Sequence, residues 1–248
     1  MDEITQNTTE NAQENETADN GKKKGFLTEK RIETLAAIFL GITALLTAWA
    51  TWIGSLHGGN QATNYSKSNN LSAEGNSEYN SGLQTYLSDL MAWNEMMSYQ
   101  FDIEIADLYE GREDEAALIE AKLDSYIEQN CSEYMAEGLE WLAEQEDAES
   151  PFEMPGLIDM YFENAYELLD ESQALLEQGQ QDNSNGDKFG LVTVIYSVVL
   201  FLLGIVGVFK SIPNRKAVLI IAIVGFAIAT IYMLTIPMPT DFSFANYL

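Results

Sequence analysis

The chain has 248 residues, a formal net charge of −27 and a pI of about 4.1. A surface that acidic repels nucleic acid and anionic headgroups, and a single cysteine, Cys131, excludes an intrachain disulfide. Three runs contain no Asp, Glu, Lys or Arg: Thr34–Leu56, Phe189–Phe209 and Ala217–Met238. Each matches the ~20 residues a helix needs to cross a bilayer, whereas a soluble helix keeps a polar face.

Residues 1–27 are rich in Asn, Thr, Glu and Gln without apolar periodicity, and read as a disordered cytoplasmic tail. Residues 28–56 form the first transmembrane helix. A cleaved signal peptide ending near Ala48-Trp49-Ala50 is the rival reading. The long, carboxylate-bearing leader and an apolar run beyond the usual ~7–15 residues argue against it. Trp49 and Trp52 suit an interfacial aromatic belt, as does Tyr232 or Tyr247 at the other outer end.

Residues 57–188 read as an extracytoplasmic helical domain. Gly58 to Gly82 is polar and rich in Gly, Asn and Ser, which by composition is a loop. From Leu83 an amphipathic helix is predicted, with Leu83, Leu87, Leu90, Met97, Phe101, Ile105 and Leu108 on its apolar face. Gly111 ends it. A second helix is expected over Glu113 to Glu146, with Glu113-Asp114-Glu115 at the positive end of its dipole. Pro151 and Pro155 then force a turn. A third helix, Leu157 to Gln178, carries Ile158, Tyr161, Phe162, Ala165, Leu168, Leu169, Leu175 and Leu176 on one side, with Gly179 as its stop. Asp182 to Asp187 reads as a polar linker. Three such helices joined by short turns imply an antiparallel bundle.

Residues 189–209 and 217–238 form the second and third transmembrane helices, joined by a cytoplasmic loop at 210–216, and residues 239–248 are an extracytoplasmic tail. The orientation follows from basic residues. Lys22, Lys23, Lys24, Lys30 and Arg31 precede the first span, and Lys210, Arg215 and Lys216 lie between the last two; together they are 8 of the 12 Lys and Arg residues. Three spans place these segments on the same side, which the positive-inside rule makes cytoplasmic. Between Gly54 and Lys188 there are 30 Asp plus Glu against four Lys plus Arg, so the acidity is extracytoplasmic.

Few residues point to chemistry. His57, the one histidine, sits just past the first span and reads as a polar residue at headgroup level, with a pH-responsive role as the alternative. Thr43, Thr47, Thr51 and Ser55 recur every four residues. Such a stripe lines an oligomeric pore or, the reading preferred here, packs against helices and its own carbonyls. Ala37 with Gly41, Ala44 with Ala48, and Gly225 with Ala229 are small-residue pairs that permit close helix contact. Cys131 reads as a buried apolar thiol, with an intermolecular bridge as the alternative. Glu113-Asp114-Glu115 and Glu144-Glu146-Asp147-Glu149 read as solvated helix faces; neither they nor Asp182–Asp187 has the spacing of a calcium site. No triad, phosphate loop or zinc motif appears, and no cofactor or metal is expected.

The order of features resembles a poorly characterised bacterial family of three-span membrane proteins with a helical insert after the first span. The matching residues are Arg31-Ile32-Glu33, Thr47-Ala48-Trp49, Gly59, Gln61 and Ala62, Pro151-Phe152-Glu153-Met154-Pro155, and the basic loop before the last span. The long polar N-tail, the very acidic insert and the Asn and Gly after the first span depart from the family pattern. The resemblance implies that the first span continues outward as one helix to about Gly111. Composition weighs against that for residues 58–82, where a broken helix is expected.

The sequence therefore predicts an all-α protein: three transmembrane helices in a bacterial cytoplasmic membrane plus an acidic extracytoplasmic bundle. The function expected is a non-enzymatic scaffold or sensor that self-associates and binds an unidentified protein partner. The alternative is an oligomeric cation channel with an acidic vestibule.

Overall fold

The computed structural model describes residues 28–240, 242, 243 and 245. The N-terminal tail with Lys22, Lys23 and Lys24, and Tyr247, lie outside the described residues. The regular structure described is all helical: α1 (Glu29–Asp107), α2 (Glu113–Asn130), α3 (Glu133–Ala143), a 3₁₀ turn (Pro151–Glu153), α4 (Leu157–Met160), α5 (Glu163–Ile205), a second 3₁₀ turn (Val206–Val208) and α6 (Ile212–Thr235). Three of these helices are long and apolar enough to cross a membrane: α1, α5 with its terminal turn, and α6.

The chain forms two compact units. The first takes the residues up to Thr51 and Gly190–Ile236; the second takes Trp52–Phe189 and the residues from Pro237 onward. Both draw on α1 and α5.

In the first unit Ile32, Ala36, Val199, Leu203, Val206, Leu219 and Ala222 make the core. Phe39 meets Phe226 edge to face at 5.3 Å, and the Tyr196 hydroxyl lies 2.9 Å from Thr230 Oγ1. At Gly225 an added Cβ would come 3.1 Å from Val199 Cγ2, so the missing side chain lets α6 close on α5. Arg215 closes one end. Its Nη1 donates to Glu29 Oε1 at 2.8 Å and to Glu33 Oε1 at 2.9 Å. Its Nε and Nη2 donate to the carbonyls of Phe209 and Gly207 at the C-terminal end of the α5 segment. A cation there also complements the negative pole of a helix.

In the second unit the long stretch of α1 lies antiparallel to α5: Gly54 meets Phe189, Ser68 meets Ser172, and Gly75 meets Ala165, with Gly82 against Tyr161 just before α5. Three sequence expectations change here. Residues 58–82 are unbroken helix. The glycines there include contact points with α5, and polar side chains bond back along the helix: Thr63, Asn76 and Asn80 each donate to the carbonyl four residues earlier. The helix expected over 113–146 is two, because Cys131 turns extended and Ser132 caps α3 by accepting from the Met135 amide. The helix expected to stop at Gly179 runs on through 182–187 to Ile205, because Gly179 is needed for space rather than for a turn; a Cβ there would lie 2.5 Å from the Tyr65 ring. The glycines that do turn the chain are Gly111 and Gly156, at φ +86° and +84°, where a side chain would be strained.

The apolar face assigned to residues 83–108 is also placed differently. Leu87, Met97, Phe101, Ile105 and Leu108 are exposed, while Asp89, Ala92, Met96 and Ala106 are buried. The helix turns its smaller, more polar stripe inward because its partners approach closely along that side.

Candidate functional site

The chemistry-bearing residues of the second unit lie along the contact between α1 and α5. Gly54, Gln61, Ser68, Gly75, Gly82, Asp89 and Met96 are seven residues apart along α1, and Ala165, Ser172, Gly179 and Gly186 are seven apart along α5. A seven-residue repeat keeps one face of a helix against its partner. Here the repeat is carried by small and polar residues. At Gly54 an added Cβ would be 3.2 Å from Phe189 Cβ, and at Gly75 it would be 3.3 Å from the Ala165 carbonyl oxygen. Ser172 Oγ donates to the Ser68 carbonyl at 2.8 Å and lies 3.2 Å from Ser68 Oγ, both side chains buried.

His57 stands near one end of this seam. It is 1% exposed, buried within the chain. Its Nδ1 is 2.8 Å from Asp182 Oδ1, and its Nε2 is 3.1 Å from the Pro237 carbonyl oxygen. Asp182 Oδ2 accepts from Asn64 Nδ2 at 3.3 Å, and the Phe189 ring stacks on the imidazole at 5.8 Å. Both ring nitrogens thus face oxygen acceptors. A neutral imidazole has one N–H and satisfies one of them; an imidazolium has two and satisfies both. The residues after α6 are held by the same group of contacts: Trp52 meets the Phe242 ring at 5.8 Å, and Gln178 reaches Thr240 at 3.4 Å. Asp182 lies 125 residues from His57, which is why spacing alone did not pair them.

Asp89 forms a second node. It is 1% exposed, and its carboxylate accepts from the Ser132 amide at 2.9 Å, from the Ser132 hydroxyl, and from the Tyr161 hydroxyl at 2.8 Å. A buried carboxylate needs such donors to offset its lost hydration. Burial first, and then the adjoining Asp89, hold the Tyr161 phenol well above its ordinary value. The Cys131 thiol is half-buried, 3.9 Å from Met96 Sδ, and is likewise raised by burial and by Asp89. A raised thiol is a poor nucleophile at neutral pH. Tyr86 and Tyr134 pack on Tyr161 and complete this cluster. The sequence placed Asp89 in a helix, but nothing marked it as inward-facing except its seven-residue step from Gly82.

The remaining singled-out residues are scattered. Thr43, Thr47 and Thr51 donate to the carbonyls of Phe39, Thr43 and Thr47 at 2.6, 2.7 and 2.9 Å. Thr43 is buried, Thr47 half-buried, and Thr51 and Ser55 exposed. Lys30, Arg31 and Lys210 are exposed and Lys216 is half-buried, while Arg215 pairs with Glu29 and Glu33 in the first unit. Ala37, Gly41, Ala44 and Ala48 are exposed, and Ala229 is buried beside Gly225. The acids Glu113, Asp114 and Glu115 occupy the first turn of α2. Among the described residues no group of three His, Cys, Asp or Glu side chains is arranged to hold a metal ion. Asp159, Glu163, Glu167 and Asp170 line an open groove of about 430 Å³ with Met160 and Tyr166.

The chain matches no protein-family model, no curated protein and no solved structure.

Proposed function

We propose that the chain is a membrane-anchored scaffold or sensor whose second unit is offered to a protein partner outside a bacterial cytoplasmic membrane. The three apolar helices cross the bilayer, the basic residues around Lys30 and Lys210 stay in the cytoplasm, and the acidic second unit faces outward. The observation that carries this reading is the use made of the buried polar groups. His57, Asp182, Ser68, Ser172, Asp89 and Tyr161 are each bonded to another segment of the unit and hold it together. Such a unit is a fixed helical platform. Because α1 and α5 contribute to both units, a partner that alters their pairing acts on the same two helices that enter the membrane.

A cation-conducting pore has less support. Of the stripe proposed to line it, Thr43 is fully buried and Thr47 half-buried within the chain, so only Thr51 and Ser55 are exposed to line a path between subunits.

A photo-crosslinking amino acid placed singly at exposed positions of the second unit, including Leu118 and Tyr166, tests the proposal in native membranes. Discrete adducts with another protein are expected from some of these positions. No adduct from any position, at normal expression of the chain, overturns it.

A further inference from the structure

The second unit leaves one face of α1 uncovered. Leu87, Met91, Phe101, Ile105 and Leu108 are 47%, 67%, 62%, 37% and 79% exposed. With Asn94 and Ser98 between them, these positions advance by alternating steps of four and three residues, the a/d spacing of a coiled-coil seam. The repeat runs for three heptads, about 32 Å at 1.5 Å per residue. The other seam of the same segment, through Asp89, Ala92, Met96 and Ala106, is buried against the rest of the unit. One helix thus carries two seams, and the more hydrophobic one has no occupant among the described residues of the unit.

The charges beside the open seam decide what fits it. Glu95 and Asp102 lie on one flank and Glu104 on the other, all exposed, and no Lys or Arg occurs between Lys67 and Arg112. Flanking e and g charges set partner choice in coiled coils. A second copy would bring the same acids against these, and like charges at those positions disfavour pairing. An anionic lipid surface is repelled for the same reason.

We propose that the face of α1 from Leu87 to Ile105, continued by Leu108 just past the helix end, is the docking site for a basic amphipathic helix of a partner protein. The apolar face of that helix fills the seam over about three heptads, and its Lys or Arg residues face Glu95, Asp102 and Glu104. This inference rests on the scaffold reading and deepens it by assigning the surface and the chemistry of the partner.

The test uses the full chain in nanodiscs of zwitterionic lipid and three labelled 22-residue peptides. One has Leu and Ile at a and d with Lys at e and g. The second has Glu in place of those Lys residues, and the third keeps the Lys but has Ser at a and d. The first is expected to bind saturably, above its binding to empty nanodiscs, and more tightly than the other two. Met91→Ser with Phe101→Ser should weaken it by at least about tenfold, the loss expected for a buried hydrophobic anchor. Glu95→Lys with Asp102→Lys and Glu104→Lys should transfer the preference to the acidic peptide. Both sets of positions are exposed, so folding is retained, which the thermal unfolding of each variant confirms. Equal binding of the Ser-substituted peptide, binding unaffected by Met91→Ser with Phe101→Ser, or no binding at all overturns the proposal. So does a concentration-dependent dimer of the wild-type chain that Met91→Ser with Phe101→Ser abolishes, since a second copy then occupies the seam. Crosslinks from Leu118 or Tyr166 that persist while the peptide fails to bind leave the scaffold reading standing and remove only this surface.

Discussion

Gly82→Ala is the substitution that most sharply tests the pairing of α1 with α5. In an open helix this change is favourable by about 0.5–1 kcal/mol, because alanine restricts the unfolded chain and prefers the helix. At Gly82 the added Cβ would fall on the Tyr161 carbonyl oxygen, 3.1 Å from its carbon and 3.3 Å from the Phe162 ring. Backbone atoms at the turn from α4 into α5 cannot swing aside as a side-chain tip can. Overpacking costs about 1–3 kcal/mol, and this site belongs at the upper end, so the net loss is about 2 kcal/mol. For a chain of this size about 2–4 °C accompanies each kcal/mol, which gives a drop on the order of 4–8 °C. Gly59→Ala is the control, since an added Cβ there has nothing within 4 Å; it should raise the midpoint by about 1–4 °C. Both midpoints are read by thermal unfolding in detergent micelles. If Gly82→Ala unfolds at or above the wild-type midpoint, α1 is not pressed against the Tyr161 backbone and the described pairing is wrong.

Tyr161→Phe removes one of the donors to the buried Asp89 carboxylate and should destabilise by about 1.5–3 kcal/mol, the usual worth of a hydrogen bond to a charged group. The phenol is raised in the fold, so its contribution is intact below its ordinary value of about 10 and is lost as pH climbs above that; a denaturant titration at pH 8 and pH 11 should show a smaller gap between the variant and the wild type at the higher pH. Arg215→Lys should destabilise the first unit by about 1–2 kcal/mol, because one ammonium cannot serve Glu29, Glu33 and the carbonyls of Phe209 and Gly207 together; equal midpoints for Lys and Arg in thermal unfolding would contradict that. Cys131, half-buried with its thiol raised, should react with iodoacetamide at pH 8 more slowly in the folded chain than in urea, and equal rates would place it at the surface.

The apolar helices and the inward stripe running from α4 into α5 were legible because burial there is written in large hydrophobic side chains. Tyr161, Phe162 and Ala165 are buried as their spacing predicts, although Ile158 from the same stripe is 44% exposed. The 58–82 segment was misread because its composition of Gly, Asn and Ser has two physical meanings. In isolation such residues favour turns. Against a second helix, Gly75 and Gly82 are what allow close approach, and Asn76 and Asn80 bond to their own helix. The seven-residue step from Gly54 through Ser68, Gly75 and Gly82 to Asp89 was present in the sequence, but a search for apolar periodicity does not see a seam built of small and polar residues. The same search found the stripe from Leu83 to Leu108 and read it as the apolar face of a bundle helix; Leu83 and Leu90 are half-buried, but Leu87, Met97, Phe101, Ile105 and Leu108 face out. The His57–Asp182 and Asp89–Tyr161 pairs needed the antiparallel register of α1 on α5 before they could be found.

The account turns on which side of a membrane each segment occupies, and single cysteines read this directly. With Cys131 replaced by serine, one cysteine is placed at Asp170 in the second unit or at Lys210 between α5 and α6, both exposed positions. A membrane-impermeant maleimide is then applied to intact cells and to lysed ones. The account predicts labelling at position 170 in intact cells and at position 210 only after lysis. Labelling at 210 but not at 170 in intact cells would invert the arrangement, and labelling of both would contradict a membrane between them.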